Sequence, residues 1–268
     1  MRAVRHIAVN VFRESVRDKV LYSLVLFAVL LIATSYLLGQ LTAGQDIKII
    51  KDLGLASISV FGLLIAVFIG IGLVWKEVER RSIYSLLAKP ISRAEFVLGK
   101  YAGLVLTLLV NIGVMTIAFY AVLVYLGWRE IPEVREAWPA PAADPAMLGA
   151  IGLIAIELML VTAIALFFST FSSPFLSAVL TLGLWVVGHF NADLRDFEAV
   201  VESRPAVWLA RTLYYVLPNF SAFDIKAQVV HAQPVGVGYL AQTAIYGLVY
   251  IALVLVGAAV VFSRRDFK

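Results

Sequence analysis

The stretch AGLVLTLLVNIGVMTIAFYAVLVYL, residues 102–126, decides the fold class of this chain. Its 25 residues include no charged side chain. As a helix rising about 1.5 Å per residue, it would be about 37 Å long, which exceeds the roughly 30 Å hydrocarbon core of a bilayer. A helix also satisfies its own backbone hydrogen bonds, as lipid requires. Residues 102–126 therefore predict a membrane-spanning helix.

Five further apolar runs surround this stretch, at residues 20–39, 53–75, 147–171, 174–190 and 239–262. The run at 174–190 is of marginal length for a span, with 17 residues. The whole chain is 62% apolar and 15% charged, against roughly 45–50% and 25% in soluble proteins. This composition excludes an ordinary cytosolic protein. It predicts an all-α polytopic membrane protein, with six transmembrane helices in a single domain over residues 1–268.

Lysine and arginine are distributed unevenly between the two sides of the predicted spans. Residues 1–19, 76–100 and 263–268 contain 14 of the 22 basic side chains. Six spans place these three segments on the same side of the membrane, and basic side chains accumulate on the cytoplasmic side. We therefore predict that both termini are cytoplasmic.

The N-terminal residues 2–18 have the pattern of an interfacial helix. Val4, Ile7, Ala8 and Val11 recur at intervals of one helical turn, while arginines occupy the other faces. The alternative is a basic flank that only fixes the topology.

The inner segment KEVERRSIYSLLAKPISRAEFVLGK, residues 76–100, has the sequence signals of two helices. Residues 77–88 consist mainly of helix formers, and Pro90 ends that pattern, so we predict a short separate helix on the cytoplasmic side. Ser92 and Glu95 fit a capping box, which would start the helix of the third span. Gly99 and Gly103 have a spacing that permits close approach of another helix. The short charged helix could be solvated structure or a docking surface.

The run ERRSIYSLLAKPISR, residues 79–93, followed by Gly99-Lys100, resembles the signature of type-2 ABC exporter permeases. More narrowly, it is similar to the branch described as the permease component of transport systems for multicopper enzyme maturation. The resemblance implies that residues 77–88 are a coupling helix seated on a separate ATPase subunit. It assigns this role to Glu77, Glu79, Arg80, Arg81 and Tyr84.

The same resemblance implies a complex and a location. An ABC ATPase subunit and a second permease copy or paralogue would be the partners, in the cytoplasmic membrane of a bacterium or an archaeon. Periplasmic accessory proteins are a further class of partner, and no feature predicts binding to nucleic acid. ATP and Mg would be bound by the ATPase, because Gly99-Lys100 precedes Tyr101 and lacks the earlier glycine of a phosphate-binding loop. We expect no cofactor and no catalytic residue in this chain.

The outer connection before the last span contains the apolar and aromatic stretch AVWLARTLYYVL, residues 206–217. Because it is too short to span, we predict a re-entrant or interfacial segment. Related exporters have re-entrant helices at this place, and Leu217-Pro-Asn-Phe220 resembles a recurrent pattern of the branch. An aromatic belt segment is the alternative. The candidate residues of this segment are Trp208, Arg211, Tyr214, Tyr215, Pro218 and Asn219.

Glu157 is the one formal charge inside the six apolar runs. A central acid costs about 2.5–3.5 kcal/mol on insertion scales, so it should be neutral, paired or turned to a wet interior. It could be a proton or cation site, or a hydrogen-bonding partner between helices. The chain has no cysteine, and its histidines (His6, His189 and His231) lie in separate segments, so we predict no metal site.

Three functions are consistent with these patterns. The first is the permease subunit of an ATP-driven exporter. The second is a gradient-driven transporter or channel organised around Glu157. The third is a membrane scaffold for a maturation complex. Lipid, peptide, sulfur compound and drug all remain open as substrates.

Overall fold

The computed structural model describes residues 2–39, 46–79, 92–136, 138–190 and 203–264. Over these residues the chain is helical, with short connections and no β-strand. The helices are α1 (Arg2–Ser15), α2 (Lys19–Gly39), α3 (Asp46–Glu79), α4 (Arg93–Arg129), α5 (Pro132–Glu136), α6 (Ala146–Ser169), α7 (Pro174–His189), α8 (Arg204–Val216), α9 (Lys226–Val230) and α10 (Val237–Arg264). A short 3-10 helix, Phe220–Phe223, precedes α9.

Each predicted apolar run lies on a helix of the structure. Five helices are long and apolar enough to cross a membrane, namely α2, α3, α4, α6 and α10. Helix α7 is apolar but has 16 residues, so it is about 24 Å long and shorter than the hydrocarbon core. The chain is therefore a multi-pass membrane protein. Several helices extend beyond the apolar runs, most clearly α3 and α4, whose ends include charged residues.

Helices α3 and α6 form the centre of the bundle and are its most buried spans. Gly62 of α3 lies directly against Leu158 of α6, where a β-carbon would collide with the leucine side chain. Eight residues further along α3, a β-carbon on Gly70 would lie 2.6 Å from Cβ of Ala165 in α6. Small residues let helix backbones approach closely, which is the main source of helix association in lipid. The glycines of α3 therefore fix its contact with α6.

Helix α1 packs along the first turns of α4. A β-carbon on Gly99 would lie 2.8 Å from Cβ of Ile7, and one on Gly103 would lie 2.6 Å from the carbonyl oxygen of Ala8. The prediction that these glycines permit close approach is confirmed, and the approaching helix is α1. The predicted helix at residues 2–18 is present as Arg2–Ser15.

The N-terminus of α4 is held by a cap and by the end of α10. The Ser92 hydroxyl accepts a hydrogen bond from the Glu95 amide, and the Glu95 carboxylate accepts one from the Ser92 amide, so both bonds of a capping box are present. Arg93 donates to the carbonyl oxygens of Phe262 and Ser263 at 2.9 and 3.0 Å. An arginine at this place satisfies carbonyls that the helix end leaves without partners.

The expected start of a separate coupling helix at Glu77 is wrong. Helix α3 continues through Glu79, so Glu77 and Glu79 belong to its last turn. No glycine or proline interrupts residues 73–79, and Lys and Glu are good helix formers, so the helix of the span simply extends. Three other residues assigned to coupling, Arg80, Arg81 and Tyr84, lie outside the described residues.

The close packing of α1 on α4 predicts opposite effects for two glycine substitutions in α4. Gly103→Ala should lower the free energy of unfolding by about 1–3 kcal/mol, because its β-carbon would overlap Ala8 and Val11. Gly113→Ala is the matched control, since nothing lies within 4 Å of its β-carbon position. It should be neutral or stabilising by up to about 1 kcal/mol. Melting temperatures of the purified variants measure the difference, and equal values would contradict the packing.

Candidate functional site

The connection between α8 and α10 folds back into the bundle. We call residues 217–231 the outer plug. Phe220 and Phe223 of the plug are fully buried. Gly188 of α7 makes room for the first of them, since a β-carbon there would collide with the Phe220 ring. On the other side, a β-carbon on Gly247 of α10 would lie 3.0 Å from the Phe223 ring.

The plug reaches more than a third of the way along α6 and α10. The same β-carbon position on Gly247 lies 2.6 Å from Cγ2 of Ile156, so Phe223, Gly247 and Ile156 meet at one level. Ile156 and Gly247 each lie ten residues after the start of their helix, at Ala146 and Val237. Ten residues correspond to about 15 Å of helical rise. The plug therefore folds back between the helices to about this depth from their ends.

Hydrogen bonds from the flanking helices hold the backbone of the plug. The amide of Asn219 donates to the Tyr246 hydroxyl at 2.8 Å, and the Tyr239 hydroxyl donates to the carbonyl oxygen of Ala222 at 2.7 Å. Nζ of Lys226 lies 3.5 Å from Asp224 and 3.5 Å from Oγ of Ser59 in α3. Non-helical backbone at membrane depth is tolerated when protein groups satisfy it in this way.

Glu157 lies beneath the plug and is almost fully buried, with 2% of its surface exposed. It is near the midpoint of α6, eleven residues after Ala146. Nε1 of Trp185 in α7 donates to its Oε1 at 2.8 Å. Nε2 of His189, one turn further along α7, lies 3.6 Å from the same oxygen. The buried acid therefore joins α6 to α7.

The histidine also constrains the protons of this pair. Nδ1 of His189 lies 3.1 Å from the carbonyl oxygen of Trp185, which can only accept, so Nδ1 carries a hydrogen. A neutral imidazole then directs the lone pair of Nε2 at Glu157. Two lone pairs facing each other in a buried site repel, so a proton on either Oε1 or Nε2 stabilises the pair. At 3.6 Å the two atoms are close without forming a hydrogen bond, so the bond from Trp185 is the one that joins the helices.

The end of α3 and the start of α4 lie on either side of the predicted coupling segment in the sequence. Helix α3 ends at Glu79 and α4 begins after Ser92, so these two helices flank residues 80–91. Around the start of α4 the Phe96 ring stacks on Phe262 of α10, with centroids 5.5 Å apart. Nζ of Lys100 lies 4.9 Å from the Phe96 centroid, and the lysine is 1% exposed. Helices α1 and α10 thus both pack against the first turns of α4.

The sequence model of the family described as ABC-2 family transporter protein matches residues 5–267. The chain belongs to this family. A search among curated proteins finds no match. As an ABC-2 family protein, the chain is a membrane permease component of an ABC transporter. Permeases of this family generally work with an ABC ATPase partner and are typically not the ATPase themselves.

In this ABC-2 permease, the predicted outer segment divides into two parts. Helix α8 is the exposed part, with Trp208 and Tyr215 showing 70% and 73% of their surfaces, and Arg211 is also exposed. Tyr214 and Asn219 are half-buried, and Pro218 is buried. The segment that folds between the helices is the plug that follows, and a re-entrant or interfacial position for residues 206–217 stays a prediction. The apolar side chains of the plug, Phe220 and Phe223, pack between α6, α7 and α10.

Two partners of Glu157 were not found from the sequence. Trp185 and His189 are four residues apart and so share one face of α7, which was the available signal. Their meeting with α6 depends on the tertiary structure. Among the described residues, no three His, Cys, Asp or Glu side chains lie close enough together to bind a metal ion.

The hydrogen bond between Trp185 and Glu157 predicts a stability difference between two tryptophan variants. Trp185→Phe should lower the free energy of unfolding by about 1–3 kcal/mol, because a buried carboxyl group loses its donor. Trp208→Phe should change little, since that side chain is 70% exposed. Glu157→Gln should remain close to the wild type, because the amide oxygen can still accept. Equal melting temperatures for the two tryptophan variants would contradict this contact.

Proposed function

We propose that this chain is the permease subunit of an ATP-driven exporter, moved by a separate ATPase subunit at its cytoplasmic end. The observation that carries the proposal is the family match over residues 5–267 in a chain without a phosphate-binding loop of its own. The proposal includes a second permease copy or paralogue, because six spans provide half of the usual twelve-span channel. It places the complex in a bacterial or archaeal cytoplasmic membrane, with both termini in the cytoplasm.

Residues 76–91 are the proposed contact with the ATPase. The segment combines adjacent arginines with a tyrosine, which are residue types enriched at the energetic centres of protein interfaces. Its first four residues form the last turn of α3, and its other end continues through the cap at Ser92 into the first turn of α4. A push on this segment therefore acts on two spans together.

Helix α3 provides a path from that contact to the outer end of the bundle. It has 34 residues, which corresponds to about 51 Å of continuous helix. Its glycines pack on α6, and its Ser59 lies 3.5 Å from Lys226 of the plug. We propose that ATP-driven displacement of residues 76–91 tilts α3 against α6 and releases the plug outward. The outer ends of α6, α7 and α10 would then separate.

The alternative of a gradient-driven transporter organised around Glu157 has less support. The acid is buried beneath the plug and hydrogen-bonded to Trp185, with His189 at 3.6 Å. These contacts favour the structural interpretation, in which Glu157 holds α6 to α7.

The assignment to the multicopper enzyme maturation branch rests on the resemblance of residues 79–93.

The coupling proposal predicts the behaviour of one triple variant. Arg80→Ala, Arg81→Ala and Tyr84→Ala together should reduce co-purification of the ATPase about tenfold, with a matching loss of vanadate-sensitive ATP hydrolysis. Lys48→Ala, Arg135→Ala and Tyr215→Ala form the matched control, because these residues belong to the predicted outer side. The control should keep both the co-purifying ATPase and the vanadate-sensitive ATP hydrolysis. Quantitative mass spectrometry of the purified complexes provides the measurement.

Two results would contradict the proposal. One is full retention of the ATPase by the coupling variant. The other is purification of the wild-type chain from its native membrane in active form without any ATPase.

A further inference from the structure

A long groove runs along one face of α10. Its outer part is a cleft of about 460 Å³ that includes Tyr239, Gln242 and Tyr246 of α10, with Tyr214 of α8 and Asn219 of the plug opposite. Its inner part is a cavity of about 340 Å³ between α10, α6 and α7, lined by Phe167, Leu184 and Leu253 among others. Both volumes are within the range of ligand sites.

The two parts adjoin each other, because both are lined by Leu217 and Tyr250. From Tyr239 to Gly257 the groove follows 18 residues of α10, or about 27 Å of helical rise. That length approaches the thickness of the hydrocarbon core. The groove is therefore long enough for one extended lipid-like molecule.

Polarity changes along the groove. The outer cleft is lined by tyrosines together with an asparagine, a glutamine and a threonine, whereas the inner cavity is lined almost entirely by apolar side chains. The helix face beside it is apolar and exposed, with Leu253 and Val256 showing 63% and 62% of their surfaces. An amphiphile could enter from the bilayer with its chain in the inner cavity and its headgroup in the outer cleft.

The lining also selects the type of headgroup. Among the described residues, none that lines either part carries a formal charge. A phosphate or ammonium group placed there would find no opposite charge among these residues. Hydroxyl and amide side chains can instead both donate to and accept from a neutral, hydroxyl-rich group. The tyrosine rings add flat apolar faces, with Tyr246 and Tyr250 4.9 Å apart between centroids.

We propose that this groove is a binding site for an amphiphile with a neutral, hydroxylated headgroup, such as a glycosyl lipid. The headgroup lies against Gln242 and the tyrosines, and the alkyl chain lies beside Phe167 and Gly257. This inference goes beyond the proposed function, because binding requires neither ATP nor the ATPase.

The test is native mass spectrometry of the full chain in tetraethylene glycol monooctyl ether, a detergent that contains no sugar. The probes are glucosyl diacylglycerol, phosphatidylglycerol and plain diacylglycerol with identical acyl chains. The glucosyl lipid should bind at least about fivefold more tightly than each of the other two. Equal or tighter binding of phosphatidylglycerol would overturn the headgroup class, and binding of diacylglycerol as tight as that of the glucosyl lipid would overturn headgroup recognition.

Two pairs of variants locate the binding. Gly257→Leu places a side chain in the inner cavity and should weaken binding of the glucosyl lipid about tenfold. Gly152→Leu is its control, because it lies on an exposed position of α6 with nothing within 4 Å. Gln242→Leu should weaken binding of the glucosyl lipid about fivefold and leave diacylglycerol unchanged, whereas Gln228→Leu, at an exposed position of α9 that lines neither part of the groove, should change neither.

Unchanged binding in Gly257→Leu, with a wild-type melting temperature, would place the lipid elsewhere and overturn the proposal. Loss of ATPase coupling in the earlier experiment would leave these binding results unaffected. The two proposals can therefore fail separately.

Discussion

Close contact between α3 and α6 is the constraint on which the rest of the bundle depends. An apolar helix gains nothing from leaving lipid for another apolar helix, so association has to come from packing and hydrogen bonds. Gly62 and Gly70 supply the packing, because each leaves space that a side chain of α6 fills. With this pair fixed, α2 and α4 pack beside α3, and α7 and α10 pack beside α6. The outer plug then occupies the space that α7 and α10 leave above the middle of α6.

Three buried ionisable side chains of the bundle have specific partners, which lie on another helix, in a loop and on the same helix. Glu157 of α6 accepts from Trp185 of α7. Lys51 of α3 is 2% exposed and donates to the carbonyl oxygen of Pro141 at 3.0 Å. Lys100 of α4 packs over an aromatic ring. Because an unpartnered charge is costly in a membrane bundle, the contacts of Glu157 and Lys51 add specificity to a bundle whose apolar surfaces alone would permit many arrangements.

The sequence predicted where the helices lie along the chain better than which residues of different helices contact each other. The spans follow from apolar length, and the start of α4 follows from Ser92 and Glu95, because both signals are local. The partners of Glu157 and the folding of the plug into the bundle depend on contacts between distant residues, which no local pattern contains. The predicted helix start at Glu77 was wrong for a related reason. The helix-forming residues there extend α3 to Glu79, and a local pattern cannot distinguish an extension from a new helix.

Coupling to an ATPase requires that residues 76–100 face the cytoplasm, because an ATPase can reach only that side of the membrane. The chain has no cysteine, so single cysteines can be introduced and labelled with a membrane-impermeant maleimide. Ser85→Cys should react in inverted membrane vesicles and be protected in intact cells, while Glu133→Cys on exposed α5 should show the reverse. Labelling of Ser85→Cys from outside intact cells would place the coupling segment away from any ATPase and contradict the account.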